Sequence, residues 1–283
     1  MDRGWTKAAN KALAYGFLLA VLIFTVFPLL YVLLASFKSN QELLASGSTL
    51  LPKSFTLDNF KQAWELADFK RYTWNSIYFT FFIVVGVLFN STMAGYVFAR
   101  GRFAGKKLFF GLFTSTMFLS LGSITLYPQM EIAKLLHIHT SLWGVIIIQI
   151  FGLHIANVFL VRSFVNSIPH EIDEAAKIDG CSFFRTFWNV ILPLLKPIIA
   201  TIGLITFRQA WNEYLMPMIF TISNPKQSTL TVGVVALKST GEAASSWNLM
   251  LAGTMISIIP MLAVYLFLNR YFIAGMTSGA IKG

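Results

Sequence analysis

Six apolar stretches set the terms on which this chain can fold. They lie near Tyr15–Ser36, Ser76–Phe98, Leu108–Tyr127, Leu142–Leu160, Leu194–Ile222 and Trp247–Leu268. Each has the roughly 20 mostly apolar residues that a helix needs to cross a bilayer. Hydrocarbon offers no water to satisfy backbone N–H and C=O groups, so such stretches must be helical. Only 12% of residues are charged, against about 25% in soluble domains, and the mean hydropathy is +0.66. The expectation is an all-α integral membrane protein with six transmembrane helices and one domain over residues 1–283. The first stretch is too long for a signal-peptide core and lacks a small-residue cleavage site, so it reads as a retained anchor. The fifth is the least regular. Lys196, Arg208 and Glu213 interrupt it, and Pro193, Pro197 and Pro217 predict that it bends.

The net charge of +10 would point to nucleic acid on a soluble domain. Here the basic residues flank apolar spans, which points to lipid headgroups and excludes a nucleic-acid role. Thirteen of them fall on one side: Arg3, Lys7, Lys11, then Arg100, Arg102, Lys106, Lys107, then Arg162, Lys177, Arg185, Lys196, then Arg270 and Lys282. Eight fall on the other: Lys38, Lys53, Lys61, Lys70, Arg71, Lys134, Lys226 and Lys238. The positive-inside rule then places both termini in the cytoplasm. Cys181, the single cysteine, falls on that reducing side and excludes an internal disulfide. On the opposite side, Thr56 can cap a short interfacial helix bearing Phe60, Ala63, Trp64 and Ala67, and residues 223–246 read as a polar loop.

The chemistry of catalysis is missing. There is no Gly-x-x-x-x-Gly-Lys-Ser/Thr phosphate loop, and no His-Glu-x-x-His, Cys-x-x-Cys or nucleophile elbow. The chain is therefore expected to be no enzyme and to bind no metal or cofactor. His154, in the fourth span, reads as a helix-packing hydrogen bonder before a proton carrier. The main intramembrane polar cluster is Arg208-Gln209-Ala210-Trp211-Asn212-Glu213-Tyr214. Arg208 and Asn212 share a helix face, whereas Arg208 and Glu213, five apart, do not form a simple intrahelical pair. Arg208, Trp211, Asn212 and Glu213 can line a translocation path or gate, or glue one subunit to another; both readings stay open. Asn75, Asn90, Ser91 and Thr92 read as packing residues.

The hydrophilic stretch at about 163–193 carries the most specific pattern. Ser167 can cap a helix and Pro169 suits its first turn. Glu171, Asp173 and Glu174 sit at the positive end of its dipole. Ile168, Ile172, Ala175 and Asp179 share one face, with Ala176 at its edge. Gly180 supplies a left-handed stop, and Ser182 starts a second short helix through Phe183, Phe184, Phe187 and Trp188. The bland reading is an amphipathic helix resting on the lipid surface.

The spacing Glu174-Ala175-Ala176, Gly180, Val190-Ile191-Leu192-Pro193 resembles the EAA signature of bacterial ATP-binding-cassette (ABC) importer permeases, with Val190 where isoleucine is usual. The likeness extends to Ala35-Ser36-Phe37-Lys38, to Trp211-Asn212-Glu213-Tyr214 and to the ending Asn269–Gly283, and it is to the smaller permease of the maltose-type carbohydrate importers. That resemblance implies the type I importer permease fold in a bacterial cytoplasmic membrane. It implies as partners a second related permease, two ATPase subunits that hold ATP and Mg2+, an extracytoplasmic sugar-binding protein and a carbohydrate. Glu174, Ala175, Ala176, Gly180, Leu192 and Pro193 would couple to the ATPase. Gly275, Thr277, Gly279, Lys282 and Gly283 would reach its interface, and loop 223–246 would meet the binding protein. An ion-coupled secondary transporter, or an ABC permease for a non-sugar solute, is the alternative.

Overall fold

The structure, a computed structural model, describes residues 2–45, 49–66, 68–119, 122–239 and 246–280. Among them every regular element is helical. The chain forms two compact units, residues 1–69 with 233–259, and residues 70–232 with 260–283.

The first unit starts with α1 (Asp2–Ala35), whose apolar side chains from Leu13 to Leu33 are largely bare. After it the chain turns at Ser36–Lys38, and a short helix, α2 (Asp58–Leu66), packs back beneath the turn. Thr56 stands just before α2 and accepts from Asp58 N at 3.1 Å. Of the face expected to lie on lipid, Ala63 is buried, Trp64 is half exposed and stacks on Phe69, and Ala67 lies outside the described residues. Asn59, also on α2, is buried and organises this unit. Its amide donates to the carbonyls of Ser36 and Lys38, both at 2.8 Å, and its oxygen accepts from Asn248 at 2.8 Å. Asn40 accepts from Trp247 N, and Lys238 stacks over the Trp247 ring at 4.2 Å. Lys38, expected as a peripheral cation, is only 1% exposed. It donates to the Thr49 carbonyl and lies 3.8 Å from Glu42, so its charge is paired inside the protein.

The second unit is built on α3 (Phe69–Arg100), with α4 (Lys106–Ser115), α5 (Leu126–Leu135), α6 (Leu142–Phe151) and α7 (Ile155–Ser167) following. Then come α8 (His170–Ile178), the segment Phe183–Leu194, α9 (Lys196–Trp211) and α10 (Leu215–Thr221). Among the described residues, two apolar clusters help to hold it. One gathers Phe79, Ile83, Val87, Leu142, Ile146 and Phe220. The other gathers Tyr96, Val161, Val165, Phe187, Ile191 and Leu195. Helices α3 and α7 approach so closely that a Cβ on Gly95 would lie 2.5 Å from Val161, so only glycine fits there. Asn75 and Asn90 act as packing residues, as their sequence context predicts. Asn75 donates to the carbonyls of Lys226 and Ser228 at 2.9 Å, and Asn90 donates to Ile150 O at 2.8 Å.

Among the described residues three helices are unbroken and apolar enough to span a membrane: the Asn10–Ala35 part of α1, α3, and the Trp247–Phe267 part of α12 (Trp247–Ala280). Two helix pairs meet the same length and composition only when taken together across a bend, α6 with α7 at 43° and Phe183–Leu194 with α9 at 79°. The third expected span, Leu108–Tyr127, is not one helix. Thr114, Ser115 and Thr116 turn their hydroxyls back onto the carbonyls of Phe110, Leu112 and Phe113, at 2.7 Å each, which weakens the end of α4. Leu119 is then extended, and Gly122 takes φ +54° before α5 begins. The expected polar loop 223–246 is also partly helical, because Leu230–Ala236 forms α11; residues 240–245 lie outside the described residues.

Candidate coupling loop and polar breaks

Helix α8 begins after Pro169, whose ψ of 140° is extended and which no side chain caps. Ser167 does not cap it. Its hydroxyl donates instead to Phe164 O at 2.7 Å, inside α7, because Pro169 carries the chain away in an extended conformation before α8 starts. Glu171 and Asp173 occupy the first turn, where the dipole favours negative charge. The end of α8 follows the expected glycine rule. Gly180 takes φ +79° and donates to Lys177 O, and Cys181 N reaches Ala176 O at 2.9 Å. Ser182 then accepts from Arg185 N at 3.4 Å and opens the next segment.

The face of α8 read as open to another protein is divided, with Ile168 and Ile172 turned inward and Ala175 and Asp179 outward. Asp173 and Ala176 are buried and Ile172 is half-buried, whereas Ala175 and Asp179 are exposed. The charge of Asp173 finds its partner inside the protein. Arg100, at the end of α3, donates to Asp173 at 2.8 Å and to Ile168 O at 2.6 Å, and stands 3.2 Å from His170 Nε2. Side chains of both ion partners are more than nine-tenths buried. Turning Asp173 inward aims Glu171, Glu174, Ala175 and Ile178 outward, and Ile178 is 86% exposed. Sequence reading missed Arg100 as the partner. It placed the residue in a cationic link and Asp173 in a helix dipole, with no signal joining positions 73 residues apart.

Below α8 the base is aromatic. Tyr96 stacks near Phe183 at 4.6 Å and Phe187 at 5.2 Å between ring centres, and Phe89 faces Trp188 at 6.1 Å. Residues Phe187–Ile191 form a π-helical turn. Leu192 is half-buried and Pro193 exposed just before the 79° bend.

The polar run of the fifth span lies where α9 ends. Asn212 donates to Arg208 O at 2.8 Å, as four-residue spacing allows. Glu213 does not pair with Arg208; it accepts from Met216 N at 3.3 Å and caps α10. Trp211 is buried, stacks on Phe207, and its carbonyl accepts from Thr231. Arg208 and Asn212 are exposed. In the other bent pair, His154 starts α7 and its ring nitrogen lies 2.6 Å from Gln149 O, a packing bond across the break. The α6–α7 break and the break between α9 and α10 border one cavity of about 40 Å3 that Gln149, His154, Thr206, Gln209 and Glu213 help to line. A water needs about 10–15 Å3 and polar partners. Thr206 Oγ1 is buried there with no hydrogen-bond partner among the described residues. Gly275, Thr277 and Gly279 lie on the helical backbone of α12, and Lys282 and Gly283 lie outside the described residues.

These features define a class: an all-helical, multi-pass membrane protein with a firmly anchored loop helix and, among the described residues, no cluster of metal-ligating side chains. Residues 13–278 match the family of binding-protein-dependent transport system inner membrane components, and the chain belongs to it. It is a transport permease and not an enzyme. It is 34% identical, over the full length of both chains, to the arabinooligosaccharides transport system permease protein AraQ of Halalkalibacterium halodurans. It is 29% identical to the sn-glycerol-3-phosphate transport system permease protein UgpE of Pectobacterium atrosepticum, covering 92% of this chain and 93% of that one. A bacterial ABC transporter involved in the import of the acidic polysaccharide alginate shares the fold, with a TM-score of 0.81 at 24% identity over 96% of this chain and 99% of that one.

Proposed function

We propose that this chain is the permease subunit of an ABC importer that takes up a di- or oligosaccharide handed over by an extracytoplasmic binding protein. A second, related permease would complete the pore. Two separate ATPase subunits would bind ATP and Mg2+ and hydrolyse the nucleotide, and this chain would hold neither. The lysine and arginine asymmetry supports cytoplasmic termini and a cytoplasmic α8.

The observation that carries this reading is the two-faced character of α8. Its inner face is fixed to α3 by a buried ion pair, and its outer face offers Glu171, Glu174, Ala175 and a bare Ile178. A short helix that seats its outer face in a cleft of a moving ATPase transmits the motion only if its base is stiff. The ion pair and the Tyr96–Phe183–Phe187 stack supply that stiffness. A switch also needs contacts that differ between two states. Arg208, Asn212 and Glu213, at the break between α9 and α10, would supply them as path or gate. Gly275, Thr277, Gly279, Lys282 and Gly283 would lie against the ATPase.

Purification of a tagged copy from its native membrane tests this. A second permease and an ATPase should co-purify, and the complex should hydrolyse ATP faster when the binding protein and its sugar are added. A chain that purifies alone and supports uptake abolished by a protonophore would instead be an ion-coupled transporter. The likeness to a glycerol-3-phosphate permease makes that solute the first non-sugar to include in the panel.

A further inference from the structure

The link between α3 and α4 and the inner flank of α8 line a further polar cavity, of about 240 Å3, beside the Arg100–Asp173 pair. Arg102, Lys106, His170, Lys177 and Thr186 line it together with Arg100. Arg100 is engaged by Asp173, Ile168 O and His170. Lys106 donates to Ala99 O at 3.0 Å and Gly101 O at 2.9 Å, which closes the C-terminal end of α3 and leaves one of its three ammonium hydrogens over. Arg102 and Lys177 make no ion pair among the described residues. Thr186 is buried, and its hydroxyl has no partner among them. Burial first, then the neighbouring Arg162 and Arg100, push the Lys106 pKa below its ordinary value, which marks this corner as positive. Asp173 is neutralised by Arg100, and Glu174 on the rim opposes the field.

A second cavity, of about 460 Å3, adjoins the first. The two share Arg100, Gly101, Arg102, Lys177 and Phe183. The second adds Val97, Phe103 and Phe184, and Phe103 and Phe184 are 42% and 57% exposed. A cationic, hydroxyl-bearing cavity thus opens onto an aromatic groove. Its depth in the bilayer follows from α3, whose 32 residues make about 48 Å of helix. A bilayer with its headgroups is about 40–45 Å thick, so a cavity at the end of α3 sits at headgroup level.

We propose that these joined cavities bind one anionic phospholipid, its phosphate among Arg102, Lys106, Lys177 and Thr186 and its chains along Phe103, Phe183 and Phe184. Phosphate suits the donors because charge-assisted bonds from arginine and lysine are its strongest recognition. The groove favours a lipid over a free ion, which would leave the aromatic side unused. This inference needs only the membrane class of the chain and is independent of sugar or ATP coupling.

The test uses the full chain with whatever subunits accompany it, in nanodiscs of phosphatidylcholine with a small fraction of phosphatidylglycerol. Native mass spectrometry reads the retained lipid. Phosphatidylglycerol should be retained in preference to phosphatidylcholine. The double substitution Arg102→Gln/Lys177→Gln should weaken that retention about thirtyfold, roughly fivefold for each basic group removed. Thr186→Val, which keeps shape and charge, should lower it several-fold and covers the case in which the double variant fails to fold. Equal retention of the two lipids, or retention unchanged in Thr186→Val, would overturn the proposal. So would displacement of the bound lipid by millimolar inorganic phosphate, which would make the site one for the free ion.

Discussion

The base of the loop helix and the cavity between the two helix breaks lie in the same compact unit and treat buried polarity in opposite ways. At the base, Asp173 and Arg100 are both buried, and every strong bond is made inside the protein. At the breaks, Thr206 is buried without a protein partner among the described residues, and a small polar cavity adjoins it. A saturated site has one low-energy arrangement. A site with room for water has several close in energy, because water can re-pair with whichever group moves. The contrast suits the proposed coupling, in which the loop would transmit motion unchanged and the spans would rearrange.

The largest effect should come from Arg100→Ala. It strands a buried carboxylate, a change that costs about 3–5 kcal/mol, and thermal unfolding of the purified subunit should fall accordingly. An unchanged melting temperature would show that the base is not held by charge. Gly180→Pro comes next, since proline cannot adopt φ +79°. Uptake should drop at least tenfold with the protein still present in the membrane, while ATP hydrolysis continues. Glu174→Lys, on the exposed face, should do the same without altering stability, and normal uptake in both variants would contradict the coupling role. Asn212→Ala removes two hydrogen bonds, to Arg208 O and to the weaker acceptor Met261 Sδ, the first worth about 1 kcal/mol. Its uptake rate should change by a few-fold; rates and assembly identical to the parent in this and in Arg208→Ala would remove that segment from path and interface alike. The smallest effect, and the opposite sign, is expected for Thr206→Val. Replacing an unpartnered hydroxyl by a methyl of the same shape is neutral or stabilising by about 1 kcal/mol. A clear loss of stability there would mean that the cavity is as tightly ordered as the base.

Much of this was legible in the chain before its fold. Apolar length located the unbroken spans, the proline pattern foretold the sharp bend near Pro193, and Gly180 marked the end of α8 because left-handed φ has a residue signature. The inward turn of Asp173 was unreadable because periodicity ranks apolar residues first, whereas an acid with a buried cation outweighs an alanine. The break at Thr114–Gly122 was hidden because hydropathy does not register hydroxyls that compete for helix carbonyls. Lys38 and Asn59 were unreadable for another reason. Their partners, Thr49 and Asn248 among them, are set by the tertiary fold and leave no local pattern.

The first compact unit is also discontinuous in time. Its two parts are separated by residues 70–232, which number 163. At about 5–20 residues per second, the ribosome needs on the order of ten to thirty seconds to cross that gap. Through that interval Asn59 and Asn40 lack Asn248 and Trp247, the residues that complete their bonding. The earlier-made part of that unit is therefore finished only as the helix beginning at Trp247 emerges, a wait longer than the folding of most small domains.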